Sequence, residues 1–299
     1  MKRNCPACDT AGGVNRGQRG GFQILSCPDC GSIYTASLPA SASAQDYDRY
    51  YRAENLSVPD FVHRRLDEIV ADFAAYRQTN RLLEIGFGAG ALLQSAMRAG
   101  WRAEGVEISR TAVENAQARG IKVFHGELAQ ASYPTGYFDV VTASELLEHV
   151  GDPLPMVREI ARVLRPGGLF WATTPHARGV SSRLLGLKWL TLSPPGHLHI
   201  FSTKGIKRLA RAAGFQRVQV DTKGMNPADL WLAWHFWHKN NGTDADGVSQ
   251  DESLTYMDTS YQVNEALTKS PARRAVKNIA NHLLNVSRLG DSLKIFAVR

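Results

Sequence analysis

From about residue 61 the chain alternates between two hydrophobic periods. Apolar residues at Phe61, Val62, Leu66, Ile69, Val70, Phe73 and Tyr76 fall at helical spacing, with Asp60 placed to cap the helix. Short β-rich runs then come at about 81–86, 101–107, 121–125, 138–143 and 169–174, separated by helical stretches. Ser109 opens the helix after the second run and Gly120 stops it. Asp152-Pro153 opens another, whose apolar face is Leu154, Val157, Ile160, Ala161 and Leu164. It ends at Arg165-Pro166-Gly167-Gly168, read as a turn. A helix near 204–213 and a strand near 215–221 follow. Alternation of this kind predicts an α/β fold, a doubly wound sheet of parallel strands with crossover helices. The last strand, Ser292 to Val298, is displaced by residues 223–290, which read as a helical insertion. That insertion begins with Trp231, Trp234, Phe236 and Trp237 and passes through an acidic polar stretch. It closes with a helix between Ser270-Pro271 and Gly290, on which Val276, Ile279, Ala280, Leu283 and Leu284 form one stripe.

The first core strand runs into Glu84-Ile85-Gly86-Phe87-Gly88-Ala89-Gly90. Glycine at three alternate positions lets backbone N–H groups approach a ligand with no Cβ in the way. A dinucleotide site usually spaces its glycines G-x-G-x-x-G, whereas this loop runs G-x-G-x-G. Glu84 sits within the apolar strand, and a carboxylate there is costly to bury unless a cation or donor meets it. The ammonium of S-adenosylmethionine (SAM) is one such partner; a nicotinamide dinucleotide site or a purely structural turn are the other readings.

The chain has 299 residues and a formal charge of +7, compatible with anionic ligands, RNA or an acidic membrane surface. It opens without a signal-peptide pattern and contains no apolar run of membrane-spanning length, so a cytoplasmic location is expected. All four cysteines lie in the first 30 residues, as Cys5-Pro6-Ala7-Cys8 and Cys27-Pro28-Asp29-Cys30. This C-x2-C-x18-C-x2-C spacing suits a structural zinc ribbon over residues 1–38, with Phe22 to Leu25 as one of its strands. Two disulfides or a redox pair are the alternatives, and disulfides need an oxidising compartment. Residues 39–60 follow as a linker and flap bearing Tyr47, Tyr50 and Tyr51. The core then spans 61–222, and residues 291–299 return to it as its final strand.

Taken together, these motifs resemble class I SAM-dependent methyltransferases of quinone, natural-product and polysaccharide pathways. The matching stretches are Leu83 to Gly90, Gly105 to Ser109, Phe138 to Val141, Ser144 to Val150, Leu164 to Gly168 and His197 to Ser202. The resemblance implies a Rossmann-like seven-stranded sheet with an antiparallel last strand. It also implies that Gly86, Gly88 and Gly90 border the methionine end of SAM with Glu84 nearby, and that Glu107 accepts the ribose hydroxyls. Ile108, Glu127 and Leu128 would flank the adenine, and Glu145 would help orient SAM.

Methyl transfer needs a nucleophile held in line with the S–CH3 bond and, for an oxygen acceptor, a base. His149, His197 and His199 are the candidates, all placed between strand ends and following helices. The triplet Glu145, Glu148 and His149 resembles a divalent-cation site of quinone O-methyltransferases, although orienting SAM and capping the turn also accounts for it. The expected activity is methylation of a small-molecule or glycan- or lipid-linked acceptor, at oxygen. The alternatives are a ribbon-bearing RNA methyltransferase and a non-catalytic SAM-fold binding module. Peripheral membrane contact through the Trp-rich insertion is a further possibility, and the sequence is silent on oligomeric state.

Overall fold

The computed structural model describes residues 3–39, 56, 58–225 and 270–299. The expected flap tyrosines and the Trp-rich part of the insertion lie outside these residues. At the N-terminus, β1 (Val14–Arg19), β2 (Phe22–Ser26) and β3 (Ile33–Thr35) form an antiparallel sheet. Helix α1 (Asp60–Asp72) leads into the core. Asp60 does not cap it: Pro59 is the N-cap and Asp60 is the first helical residue, where its charge meets the positive helix end.

The core follows in order as β4 (Arg81–Ile85), α2 (Ala91–Arg98), β5 (Arg102–Glu107), α3 (Arg110–Ala118) and β6 (Lys122–His125). Next come β7 (Phe138–Ser144), α4 (Pro153–Val163), β8 (Leu164–Pro175), α5 (Val180–Leu185), β9 (His199–Ile200) and α6 (Thr203–Ala212). β10 (Arg217–Lys223), α7 (Pro271–Val286) and β11 (Ser292–Val298) complete it. The main sheet has the order β10-β11-β8-β7-β4-β5-β6. β11 runs antiparallel to both of its neighbours, and the other core pairings are parallel. The expected seven-stranded sheet is therefore present, and the chain reverses its direction of winding between β4 and β7. Ligands of open α/β sheets bind beyond the strand carboxyl ends at such a reversal.

The alternation of β4 and β7 divides the core. Leu83 and Val141 face one side with Val157, Ile160 and Phe170, whereas Leu82 and Val140 face the other with Leu93, Trp101 and Trp171. A buried carboxylate ties the sheet's lower edge. Asp139 Oδ2 accepts backbone N–H groups of Gln78, Thr79 and Asn80 at 2.7–2.9 Å, and Oδ1 pairs with Arg165 Nε at 2.7 Å. The Arg165–Gly168 turn proves to be an excursion inside β8. Phe138 pairs with Leu164 before it and Val140 with Leu169 after it, so the ladder resumes across the proline and glycines.

Two apolar features lie on opposite sides of burial. Trp189 is buried in a third cluster with Ile24 of β2, Leu192 and Ile200. The α7 stripe faces outward, with Val276, Ile279 and Leu283 each more than 60% exposed. That helix is instead held by polar contacts, since Asn285 Oδ1 accepts the Thr222 N–H and the Leu284 carbonyl accepts the Thr222 hydroxyl. Among the described residues no helix is long and apolar enough to cross a membrane.

Candidate active site

β4 delivers the glycine loop to the carboxyl edge of the sheet at the reversal point. Gly86, Gly88 and Gly90 all adopt the left-handed region, at φ of +66°, +50° and +69°. A Cβ on Gly86 would also lie 2.9 Å from Leu146 Cδ1. Glu107, at the end of β5, clamps this loop. Its Oε2 accepts the Gly88 N–H at 3.1 Å, and its Oε1 accepts the N–H groups of Ile108 and Ser109 at 2.8 and 3.0 Å. Each carboxylate oxygen has two lone pairs, so acceptor capacity remains.

Glu84 is buried, and among the described residues its Oε2 has no hydrogen-bond partner. Burial, with the charge of Glu107 adding, pushes its carboxyl up to about 8. A glycine cradle beside an orphaned buried acceptor fits a ligand that brings a cation and hydroxyl groups, as SAM does. After β6, Gly126 N–H bonds to the Glu107 carbonyl at 2.8 Å, which brings the third strand end alongside. Leu128 is buried there and Ile108 half-buried. Glu127 is exposed and forms a capping box with Gln130, so part of its acceptor capacity is spent on backbone.

Beyond β7 lies a second group. Glu145 is exposed, with φ +49°, and its N–H reaches the Thr173 carbonyl of β8. Glu148 is fully buried and accepts the Thr174 hydroxyl at 2.9 Å, and desolvation pushes its carboxyl well up. His149 Nδ1 donates to the Gly196 carbonyl at 2.9 Å, and its ring meets that of His197 edge-on at 4.6 Å. His197 Nδ1 donates to the Thr191 carbonyl. Ligand atoms of Glu148, His149 and His197 lie within 4.8 Å of one another, a grouping that could hold a metal ion. Glu145 is outside this grouping, although its carboxyl adjoins and hydrogen-bonds that of Glu148, so His197 joins the expected Glu148–His149 pair with Glu145 alongside. Burial pushes the His149 and His199 imidazoles down to about 3 and lowers that of His197. His199 is engaged at both nitrogens: Nε2 donates to the Leu147 carbonyl at 3.1 Å and Nδ1 accepts from Arg3 at 3.2 Å.

A methyltransferase-domain family model matches residues 58–220 of the chain. This chain belongs to the class I SAM-dependent methyltransferase family. The chain is 34% identical over 159 residues to a ubiquinone biosynthesis O-methyltransferase of Ralstonia nicotianae, covering 50% of the chain and 64% of that relative. It is 31% identical over 161 residues to one of Methylococcus capsulatus, covering 49% and 68%. A SAM-dependent methyltransferase of Archaeoglobus fulgidus shares the fold at 15% identity, with a TM-score of 0.54, over 85% of this chain and 100% of that one.

The cysteine cluster is tied to the loop that carries His197 and His199. Cys5 and Cys30 sulfurs lie 3.7 Å apart and those of Cys8 and Cys27 3.6 Å, with all four thiols unbridged. Four sulfurs about 2.3 Å from a tetrahedral zinc would be separated by roughly 3.8 Å, so the set fits that ion. β3 pairs with β9, matching Ile33 to Ile200 and Tyr34 to His199, which extends the ribbon sheet to four strands. Arg3 adds bonds to the carbonyls of Gly151 and Leu198.

Sequence reasoning missed these ties, the Asp139 latch, and Arg119, whose Nη2 donates to the Ala89 carbonyl of the glycine loop at 2.7 Å. Only Asp139 carried a signal, a charge inside an apolar strand. Arg3 and Arg119 look like ordinary surface cations in the sequence.

Proposed function

We propose that the methyltransferase acts on oxygen of a small phenolic acceptor of the quinone-biosynthesis type. The Glu107–glycine cradle beside the unpartnered Glu84 Oε2 carries this assignment, and the names of the curated relatives supply the acceptor class. When bound, SAM supplies an electrophilic methyl group on a sulfonium centre. Glu84 would face its ammonium and Glu107 its ribose hydroxyls. Gly86, Gly88 and Gly90 would border the methionine end with Glu145 beyond them. Ile108 and Leu128 would flank the adenine, with Glu127 at its amino group.

On the acceptor side, His149 and His197 would be the candidates to take a phenol proton, a role worth about 10²–10⁴-fold. Burial, which lowers the basicity of both imidazoles, opposes that role until a bound acceptor or cation changes their surroundings. His199, with both nitrogens committed, would position the loop rather than accept the proton. Cys5, Cys8, Cys27 and Cys30 would hold one structural zinc. Residues 1–38, 39–60, 61–222, 223–290 and 291–299 would divide the chain into ribbon, linker and flap, core, insertion and closing strand.

The test is calorimetry with SAM and NAD, followed by turnover of labelled SAM on catechol-type quinone precursors. SAM should bind and NAD should not. Glu107→Gln should weaken SAM by about tenfold or more, the worth of a hydrogen bond to a charged group. Tight NAD binding, or methyl transfer to RNA alone, would overturn the assignment.

A further inference from the structure

A cavity of about 420 Å³ opens where the end of β8, the start of α5, the N-terminus of α6 and the turn after α7 meet the cysteine cluster. Arg178, Arg183, Lys204, Lys207 and Arg288 line it, and among the described residues no carboxylate lines it. The nearby acids are committed elsewhere. Asp29 pairs with Arg208 at 2.7 Å, and Asp291 accepts both the N–H and the hydroxyl of Ser181.

A zinc-loaded four-thiolate cluster carries about two negative charges, which needs weighing against these cations. Arg208, outside the cavity, faces Cys8, and Lys204 reaches the Asp29 carbonyl at 2.5 Å, so these two answer the cluster's side. Arg178, Arg183, Lys207 and Arg288 remain. Four like charges around one hollow repel each other, and an anion entering it relieves that repulsion.

The α6 N-terminus adds to this. Ser202 caps the helix by accepting the Gly205 N–H at 2.9 Å, and Thr203 and Lys204 present the first turn to the cavity. At the cavity's inner wall His176 is buried, donating from Nδ1 to the Gly290 carbonyl and accepting the Thr203 hydroxyl at Nε2. Its imidazole is pushed down to about 4, first by burial and then by the charges of Arg178 and Arg183.

The volume falls within the roughly 300–1,000 Å³ range of small-molecule sites and exceeds what a simple ion fills. We propose that this cavity is an anion site that takes the phosphate or diphosphate end of a small organic molecule. Among the described residues none of the glycine loop lines it, so on this proposal it operates alongside SAM binding.

The test titrates the full zinc-loaded chain by calorimetry with inorganic pyrophosphate and with uridine diphosphate, with and without saturating SAM. Saturable binding that SAM leaves unchanged is expected, tighter for the organic diphosphate. Arg178→Gln and Lys207→Gln should each weaken it by about tenfold, one charge-assisted contact apiece. SAM affinity should stay unchanged in both variants, which also reports that they are folded.

Absence of binding at millimolar ligand, binding indifferent to both variants, or competition with SAM would overturn the proposal. So would equal affinity for pyrophosphate and uridine diphosphate, which would reduce the cavity to an inorganic-anion site. Tight binding of a short RNA that pyrophosphate does not displace would reassign it to nucleic acid. Failure of SAM to bind the parent chain would instead sink the methyltransferase assignment and leave the anion result standing.

Discussion

Glu84 holds its proton in the folded chain up to about pH 8, against 4.5 for a free carboxyl. The stability it supports is therefore full below pH 4.5 and falls as the pH rises toward 8. In the SAM-free chain Glu84→Gln should raise stability at pH 8 by about 1–3 kcal/mol, read by urea unfolding, while weakening SAM. A variant less stable than the parent at pH 8 would mean that the Leu93 N–H supports the Glu84 carboxyl by more than its burial costs. Asp139 behaves in the opposite sense. Its burial opposes ionisation, but three backbone N–H groups and Arg165 outweigh it and hold its carboxyl below the usual range. Its contribution is present at neutral pH and lost as the pH falls through the folded-state value. Asp139→Asn should cost about 3–5 kcal/mol at pH 7, as when a buried ion pair loses one member, and should flatten the acid limb of the stability profile. Both residues were visible in the sequence as charges inside apolar strands. The partners of Asp139 were not, because a row of backbone N–H groups leaves no mark in composition.

Among the elements, the glycine loop and the strand β9 show opposite degrees of legibility. The loop could be read because left-handed backbone restricts the residue type, and all three glycines occupy that region. Gly86→Ala combines a strained φ with a contact of 2.9 Å to Leu146, so it should destabilise the chain by about 1–3 kcal/mol and disrupt SAM binding. Unchanged SAM affinity in a folded variant would detach Gly86 from the cofactor. β9 is two residues long and finds its partner in β3, far upstream. Neither periodicity nor turn chemistry marks so short a strand, and the pairing emerges only when the ribbon docks. Because Thr35 N–H bonds to the Leu198 carbonyl and Tyr34 pairs with His199, metal removal should loosen this seam. Hydrogen exchange should then rise at His199 and Ile200 while β4 and β5 keep their protection.

For the whole molecule, the N-terminal sheet joins the core through β9, in the loop that also carries the histidine group. Among the described residues the N-terminal sheet pairs with the strand that carries His199, so, on the proposed roles of the histidine loop and of a cysteine-bound zinc, chelation should lower methyl transfer far more than SAM affinity. Parallel losses in both would show that the metal supports the core itself. The succession of strands and helices along the chain, and the displacement of the last strand, were legible from alternation, whereas its antiparallel direction came only with the family resemblance. The place of that strand between β8 and β10 has a consequence for biosynthesis. β10 has no partner of its own until β11 arrives, and β8 keeps one edge open for the same interval. A nascent chain that has emerged only as far as residue 225 thus presents a bare, hydrophobic sheet edge to the ribosome surface and its neighbours. Truncation at residue 225 should therefore leave a chain that aggregates or is held by chaperones, and restoring β11 should relieve this.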